Sequence, residues 1–225
     1  MRSQTKRNRL RNTAISTLCA FMLAACSENP ESMIASAKDY MAKEDRNAAS
    51  IQLKNALQKD PNLAEARYLL GKVYMEQGDY ASAEKELARA GDAGFKPDLV
   101  VPALAQALLN SGQGQRVIVE LSADKLVTSD AKASLLTSKG FAQLVQGKRQ
   151  LAQEEFQAAL KVSESYPPAR VGLARLKAVD KDVDGALAEI DDVLKADPKL
   201  PEANGLRGDL LLLKGRPLEA ITAFE

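Results

Sequence analysis

The sequence predicts an all-α solenoid of antiparallel helix pairs. Three observations carry this. Landmarks recur every 34 residues, small and large residues keep fixed places within each period, and the composition is rich in Ala and Leu, with aromatics only 4% and no Trp. Such a bias favours helices that pack through small residues, and a period of this length marks stacked helix–turn–helix units.

The period is read from two segments. Leu70-Gly71-Lys72-Val73-Tyr74 is followed by Gly78-Asp79, Ala83 and Leu87; Leu104-Ala105-Gln106-Ala107-Leu108 is followed by Gly112, Val117 and Leu121, each landmark moved by 34. Units then start near 30, 64, 98, 133, 167 and 201. The eighth position is Ala37, Gly71, Ala105, Gly140, Ala174 and Gly208, and the twentieth is Ala49, Ala83, Val117, Ala152, Ala186 and Ala220. Small residues there let the two helices of a pair approach closely. The twenty-fourth, Leu53, Leu87, Leu121, Phe156, Ile190 and Phe224, is large and fills the space against the next unit. Gly78, Gly112, Gly147 and Gly215 fall at turns between helices, where a left-handed residue ends the first helix. Pro61, Pro97, Pro167 and Pro198 lie near unit boundaries, where helices start or stop.

These landmarks resemble the tetratricopeptide repeat (TPR), over nearly all of residues 30–225. Two departures stand in the third unit. Asp124 is charged where Ala56, Ala90, Ala159 and Val193 are apolar, and Val117-Ile118-Val119 is poor helix sequence, so that unit's second helix is expected to be short or irregular. At the other end, Phe224-Glu225 stops inside the sixth unit's second helix, expected to begin near Pro217. The absence of a polar capping element there leads us to expect a piece of a longer protein or a truncated gene product.

The N-terminus has a different character. Arg2, Lys6, Arg7, Arg9 and Arg11 precede an apolar run from Thr13 to Ala25, the layout of a secretory signal peptide and too short to span a bilayer. Without those five cations the chain has 26 basic and 30 acidic residues, a net charge of −4, and no general attraction to nucleic acid. Leu23-Ala24-Ala25-Cys26 resembles the bacterial lipobox, which implies cleavage after residue 25 and acylation of Cys26. Several acyl chains give stable membrane anchoring where one does not. Ser27 rather than Asp after the cysteine implies, by the same resemblance, the outer membrane facing the periplasm. The expected organisation is a signal peptide over 1–25, a lipidated N-terminus and short tether over 26–29, and the array over 30–225. Cys19 is lost with the signal peptide and Cys26 is capped, so no disulfide is expected.

Candidate chemistry is sparse. The chain has no histidine, which excludes His-based triads and His metal ligands. Gly112-Gln113-Gly114 lacks the Lys-Ser/Thr of a phosphate loop and coincides with a turn. Asp180-Lys181-Asp182-Val183-Asp184-Gly185 fits the opening of a calcium loop, with Asp191 at the twelfth place. The repeat phase makes residues from about 183 onward helical, which a calcium loop cannot be. An acidic helix N-terminus is the reading preferred, and no metal or cofactor is expected.

The TPR resemblance implies a concave face lined by positions two, five, nine, twelve and thirteen of the units. Here these include Tyr68, Lys72 and Met75, then Gln106 and Asn110, then Phe141 and Leu144, then Arg175. The mixture suits an extended segment of a protein partner, and it lacks the repeated Lys/Asn/Arg pattern of the TPR carboxylate clamp.

The stretches Glu31–Lys38, Ile51–Pro61 and Ala64–Lys72, joined to the lipobox, look like the N-terminal part of the TPR-repeat lipoprotein of the PEP-CTERM/exosortase system. That resemblance implies a non-catalytic scaffold for protein sorting and extracellular polysaccharide export. The alternatives are a TPR lipoprotein of a pilus/secretin or outer-membrane protein assembly machine, or the docking arm of an enzyme whose catalytic domain lies beyond residue 225.

Overall fold

The computed structural model describes residues 29–224. Cys26 and the expected signal peptide lie outside the described residues. Twelve helices run in order among the described residues: α1 (Pro30–Ala42), α2 (Arg46–Lys59), α3 (Ala64–Glu76), α4 (Tyr80–Asp92), α5 (Pro97–Asn110), α6 (Gly114–Glu120), α7 (Ser129–Val145), α8 (Arg149–Val162), α9 (Pro167–Val179), α10 (Val183–Ala196), α11 (Pro201–Leu213) and α12 (Pro217–Phe224). No strand occurs among the described residues, and none of their helices is long and apolar enough to cross a membrane.

Helix packing follows chain order. Each odd helix pairs with the even helix after it, and that helix packs on the next pair. The odd helices also touch one another in a row, α3 to α5, α5 to α7, α7 to α9 and α9 to α11. No comparable contact links the even helices of successive pairs. The odd helices therefore form the tighter, inner layer of a curved stack, and their free faces line one continuous surface.

The turns inside the pairs share one geometry. Gly78, Gly112, Gly147 and Gly215 have φ between +71° and +76°, and the two remaining turns place Glu44 (φ +57°) and Lys181 (φ +69°) in the same left-handed region. In three of the six turns an aspartate follows and caps the even helix: Asp45 Oδ1 accepts the Ala48 N–H at 2.9 Å, Asp79 Oδ1 the Ser82 N–H at 3.1 Å and Asp182 Oδ1 the Gly185 N–H at 2.9 Å.

The cores sit between helices at the repeat positions. Leu53, Leu87, Phe156 and Ile190 are fully buried, as are Ala49, Ala83, Ala152 and Ala186. Close approach is required around Phe156 from two helices. A Cβ on Gly140, in the same pair, or on Gly172, in the next, would fall inside the van der Waals envelope of its ring, and Gly71 stands in the same relation to Leu87.

The third pair departs from the rest. Its α6 has only seven residues and ends at Glu120, with Leu121 already extended. The chain then runs irregularly through residues 121–128. Asp124 is exposed there, while Leu126 is buried among Ala105, Leu108, Val117 and Leu135. Asp98 Oδ1 accepts the Val127 N–H at 2.8 Å and its Oδ2 the Thr128 N–H at 3.1 Å. The next helix, α7, starts at Ser129, four residues ahead of the unit start near 133.

Candidate functional site: a groove on the odd-helix face

A cavity of about 540 Å³ opens on the surface formed by the odd helices. From α5 it takes Gln106, Leu109 and Asn110. From α7 it takes Ser134, Thr137, Ser138, Phe141, Leu144 and Val145. Pro168 and Arg175 of α9, Tyr166 just before that helix, and Glu202 of α11 complete the wall. Four consecutive pairs thus contribute to one site.

Helical spacing sets this arrangement. Ser134, Thr137, Phe141, Leu144 and Val145 fall three or four residues apart and so share one face of α7. The adjoining stripe of α7, with Ala133 and Gly140, meets α8 and α9. Phe141 is half-buried and meets Phe156 edge-on with ring centroids 5.1 Å apart, which fixes its orientation. Gln106 Nε2 donates to Asn110 Oδ1 at 3.0 Å along α5. Thr137 and Ser138 are 3% and 5% exposed, and the Thr137 Oγ1 has no hydrogen-bond partner among the described residues.

Of the eight groove residues singled out from sequence, the structure brings together Gln106, Asn110, Phe141, Leu144 and Arg175. Tyr68, Lys72 and Met75 lie on α3, away from this cavity. Tyr68 stacks on Phe95 with ring centroids 5.0 Å apart, and burial pushes its phenol above the ordinary tyrosine range. Met75 packs with Tyr68 against Ala83, Leu87 and Ala107, and Lys72 is half-buried.

Sequence reading had not singled out Leu109, Ser134, Thr137, Val145, Pro168 or Glu202. All six stand at positions two, five, twelve or thirteen of their units, so the same positional rule contains them. Ser138 and Tyr166 carry no such signal.

The acidic stretch that fitted the opening of a calcium loop has a different geometry. Helix α10 begins at Val183, with Asp182 as its N-cap. Asp180 pairs with Arg149 at 3.4 Å, Asp184 with Lys214 and Asp191 with Arg207 at 2.7 Å. The four carboxylates therefore face separate partners and do not converge. The residues form the acidic helix start that the repeat phase required.

The family model for the tetratricopeptide repeat matches residues 40–107 and 144–210. The unmatched stretch between them holds α6 and the irregular segment. No curated protein matches the chain. Among solved structures, the chain is similar to PilW, described as a widely conserved type IV pilus biogenesis factor, with 19% identity, TM-score 0.64, and 88% of this chain and 91% of that one covered. PilF of Pseudomonas aeruginosa has 19% identity and TM-score 0.61, with 86% and 88% covered. A tetratricopeptide repeat protein of Parabacteroides merdae ATCC 43184 has 20% identity and TM-score 0.61, with 86% and 77% covered. These likenesses concern the fold. Together with the paired helices, the small-residue contacts and the two family matches, which cover more than half of the sequence, they establish that the chain belongs to the tetratricopeptide repeat family.

Proposed function

We propose that this chain is a non-catalytic scaffold that holds an extended segment of a partner protein along its odd-helix face. The observation that carries the reading is the cavity spanning four consecutive pairs. Its wall alternates apolar side chains, Phe141 and Leu144 among them, with hydroxyls and amides that can pair with a peptide backbone. The chain has no histidine, so that wall cannot carry a His-activated nucleophile.

The proposed location is the bacterial envelope, with acylated Cys26 anchoring the array at the outer membrane on its periplasmic side. Support comes from the lipobox-like Leu23–Cys26 and the basic, then apolar, residues before it. Only residues 26–29 separate that cysteine from α1, so the array stands close to the bilayer. The proposed process is PEP-CTERM/exosortase protein sorting and extracellular polysaccharide export, on the sequence resemblance of the first two units. A second reading is a pilus-assembly scaffold, since PilW, a type IV pilus biogenesis factor, has a similar fold over 88% of this chain.

Cross-linking in intact cell envelopes, followed by mass spectrometry of the captured proteins and of the N-terminus, tests both. Acylated Cys26 with exosortase or polysaccharide-export partners supports the first reading, and pilus components support the second. An unmodified Cys26 would overturn the anchoring.

A further inference from the structure

We infer that the segment held in the groove carries an internal aspartate or glutamate whose carboxylate pairs with Arg175, beside an apolar side chain seated against Phe141 and Leu144. The inference rests on the groove reading above and specifies the chemistry of its occupant.

Arg175 is exceptional among the arginines. Nine lie among the described residues, and eight have a carboxylate within ion-pair distance: Arg46, Arg67, Arg89, Arg116, Arg149, Arg170, Arg207 and Arg216. Arg175 has none, although it is half-buried in the cavity wall. Glu202 lines the same cavity from α11 but forms no ion pair with it. A guanidinium partly withdrawn from water beside apolar walls is poised for a carboxylate, which it can meet with two parallel hydrogen bonds.

A second, independent group points the same way. The Thr137 hydroxyl is almost wholly buried, lines the cavity and lacks a partner. A buried hydroxyl left unpaired costs free energy that an incoming backbone carbonyl or N–H recovers. Thr137, Phe141 and Leu144 stand on α7 and Arg175 on the next odd helix, α9, all in one wall. An extended chain laid across that wall meets a hydroxyl, an apolar surface and a cation.

Glu202 decides the source of the carboxylate. An internal acidic residue is followed by further backbone N–H groups, which can donate to Glu202. Any carboxylate at Arg175 meets the like charge of Glu202, and a chain terminus has no following N–H group to offset it.

The test starts from random twelve-residue peptides displayed ahead of a fixed C-terminal extension, selected on the purified chain. Selected peptides are resynthesised with amidated ends, dye-labelled and titrated by fluorescence anisotropy. The expected selection is an acidic residue adjacent to an apolar one. Changing that residue to Asn or Gln should weaken binding about tenfold or more on the unaltered chain. On Arg175→Gln the acidic and amide peptides should bind alike, and Thr137→Val should weaken both by a smaller factor. An acidic-to-amide loss of equal size on Arg175→Gln overturns the inference and leaves the groove standing, provided that Leu144→Asn weakens every peptide. Peptides indifferent to Leu144→Asn would sink the groove reading itself. Binding that needs a free C-terminal carboxylate would overturn the internal placement.

Discussion

The third and fourth helix pairs start from one template and end differently. In the fourth, α8 runs for 14 residues, and Phe156 is wholly buried where Gly140 and Gly172 make room for its ring. In the third, α6 stops after seven residues, and Leu121, the equivalent of Phe156, is half-buried outside the helix. Three β-branched residues in succession weaken α6, and Val119 among them is 70% exposed. The stack survives because Leu126 enters from the irregular segment into the core beneath it, and because Asp98 takes up two backbone N–H groups that the lost helix leaves free. A repeat can thus lose half of a helix if one loop side chain restores the burial and one carboxylate restores the hydrogen bonds.

The largest expected effect breaks the fourth pair. Phe156→Ala should cost about 3–5 kcal/mol, as large aromatic truncations in closed cores do. Leu121→Ala should cost under about 2 kcal/mol, because less apolar area is withdrawn from water there. Amide hydrogen exchange of α7, α8 and α9 reads the first locally, which matters in an array that need not unfold as one unit. Equal losses at the two positions would mean that the third pair is as tightly packed as the fourth. Gly140→Ala and Gly172→Ala should each cost about 1–3 kcal/mol by overpacking, and Phe156→Leu should relieve part of either cost.

Leu126→Ala comes next, at about 2–3 kcal/mol, because the side chain is 4% exposed. Protection should fall in α5, α6 and the start of α7, and stay unchanged in α9 to α12. A loss below about 0.5 kcal/mol would show that the irregular segment does not hold the third pair to the fourth.

The turns give a smaller effect of opposite sign. Glu44 and Lys181 carry side chains in the left-handed region that four other turns fill with glycine. Glu44→Gly and Lys181→Gly should each stabilise by about 0.5–1 kcal/mol, and Gly147→Ala, at φ +74°, should destabilise by about 1 kcal/mol. Thermal melts of the three variants settle the ordering.

Sequence reading reached this far wherever the repeat spoke. The turn glycines, the small residues against Leu87 and Phe156 and the brevity of α6 all follow from spacing and propensity. Glu44 and Lys181 were within reach too, since they lie 34 residues from Gly78 and Gly147. Leu126 and Asp98 were not, because the segment they hold has no counterpart in other units from which its fold could be inferred. The groove divides in the same way. Thr137 and Glu202 obey the positional rule, but the isolation of Arg175 depends on which carboxylates the neighbouring helices bring near. A list of positions along one chain does not contain that.

The smallest expected effect concerns Asp98. Its hydrogen bonds from the Val127 N–H first, and then from Thr128, favour the charged carboxylate and hold its pKa below the ordinary aspartate range. A carboxyl whose folded pKa lies below its unfolded value contributes its stability in full above the unfolded value. That contribution is lost as pH falls through the folded one. The irregular segment should therefore keep its register at neutral and mildly acidic pH, and loosen only below the usual aspartate range. In an NMR titration the Asp98 carboxyl carbon and the Val127 and Thr128 amides should shift together, with one midpoint below 3.8, the unperturbed aspartate value. Asp98→Asn should abolish that common transition and lower the protection of both amides, while the capping of α10 by Asp182 stays as it was. A midpoint at or above the ordinary value would mean that these hydrogen bonds do not persist in solution, and that the irregular segment is held to the core by Leu126 without them.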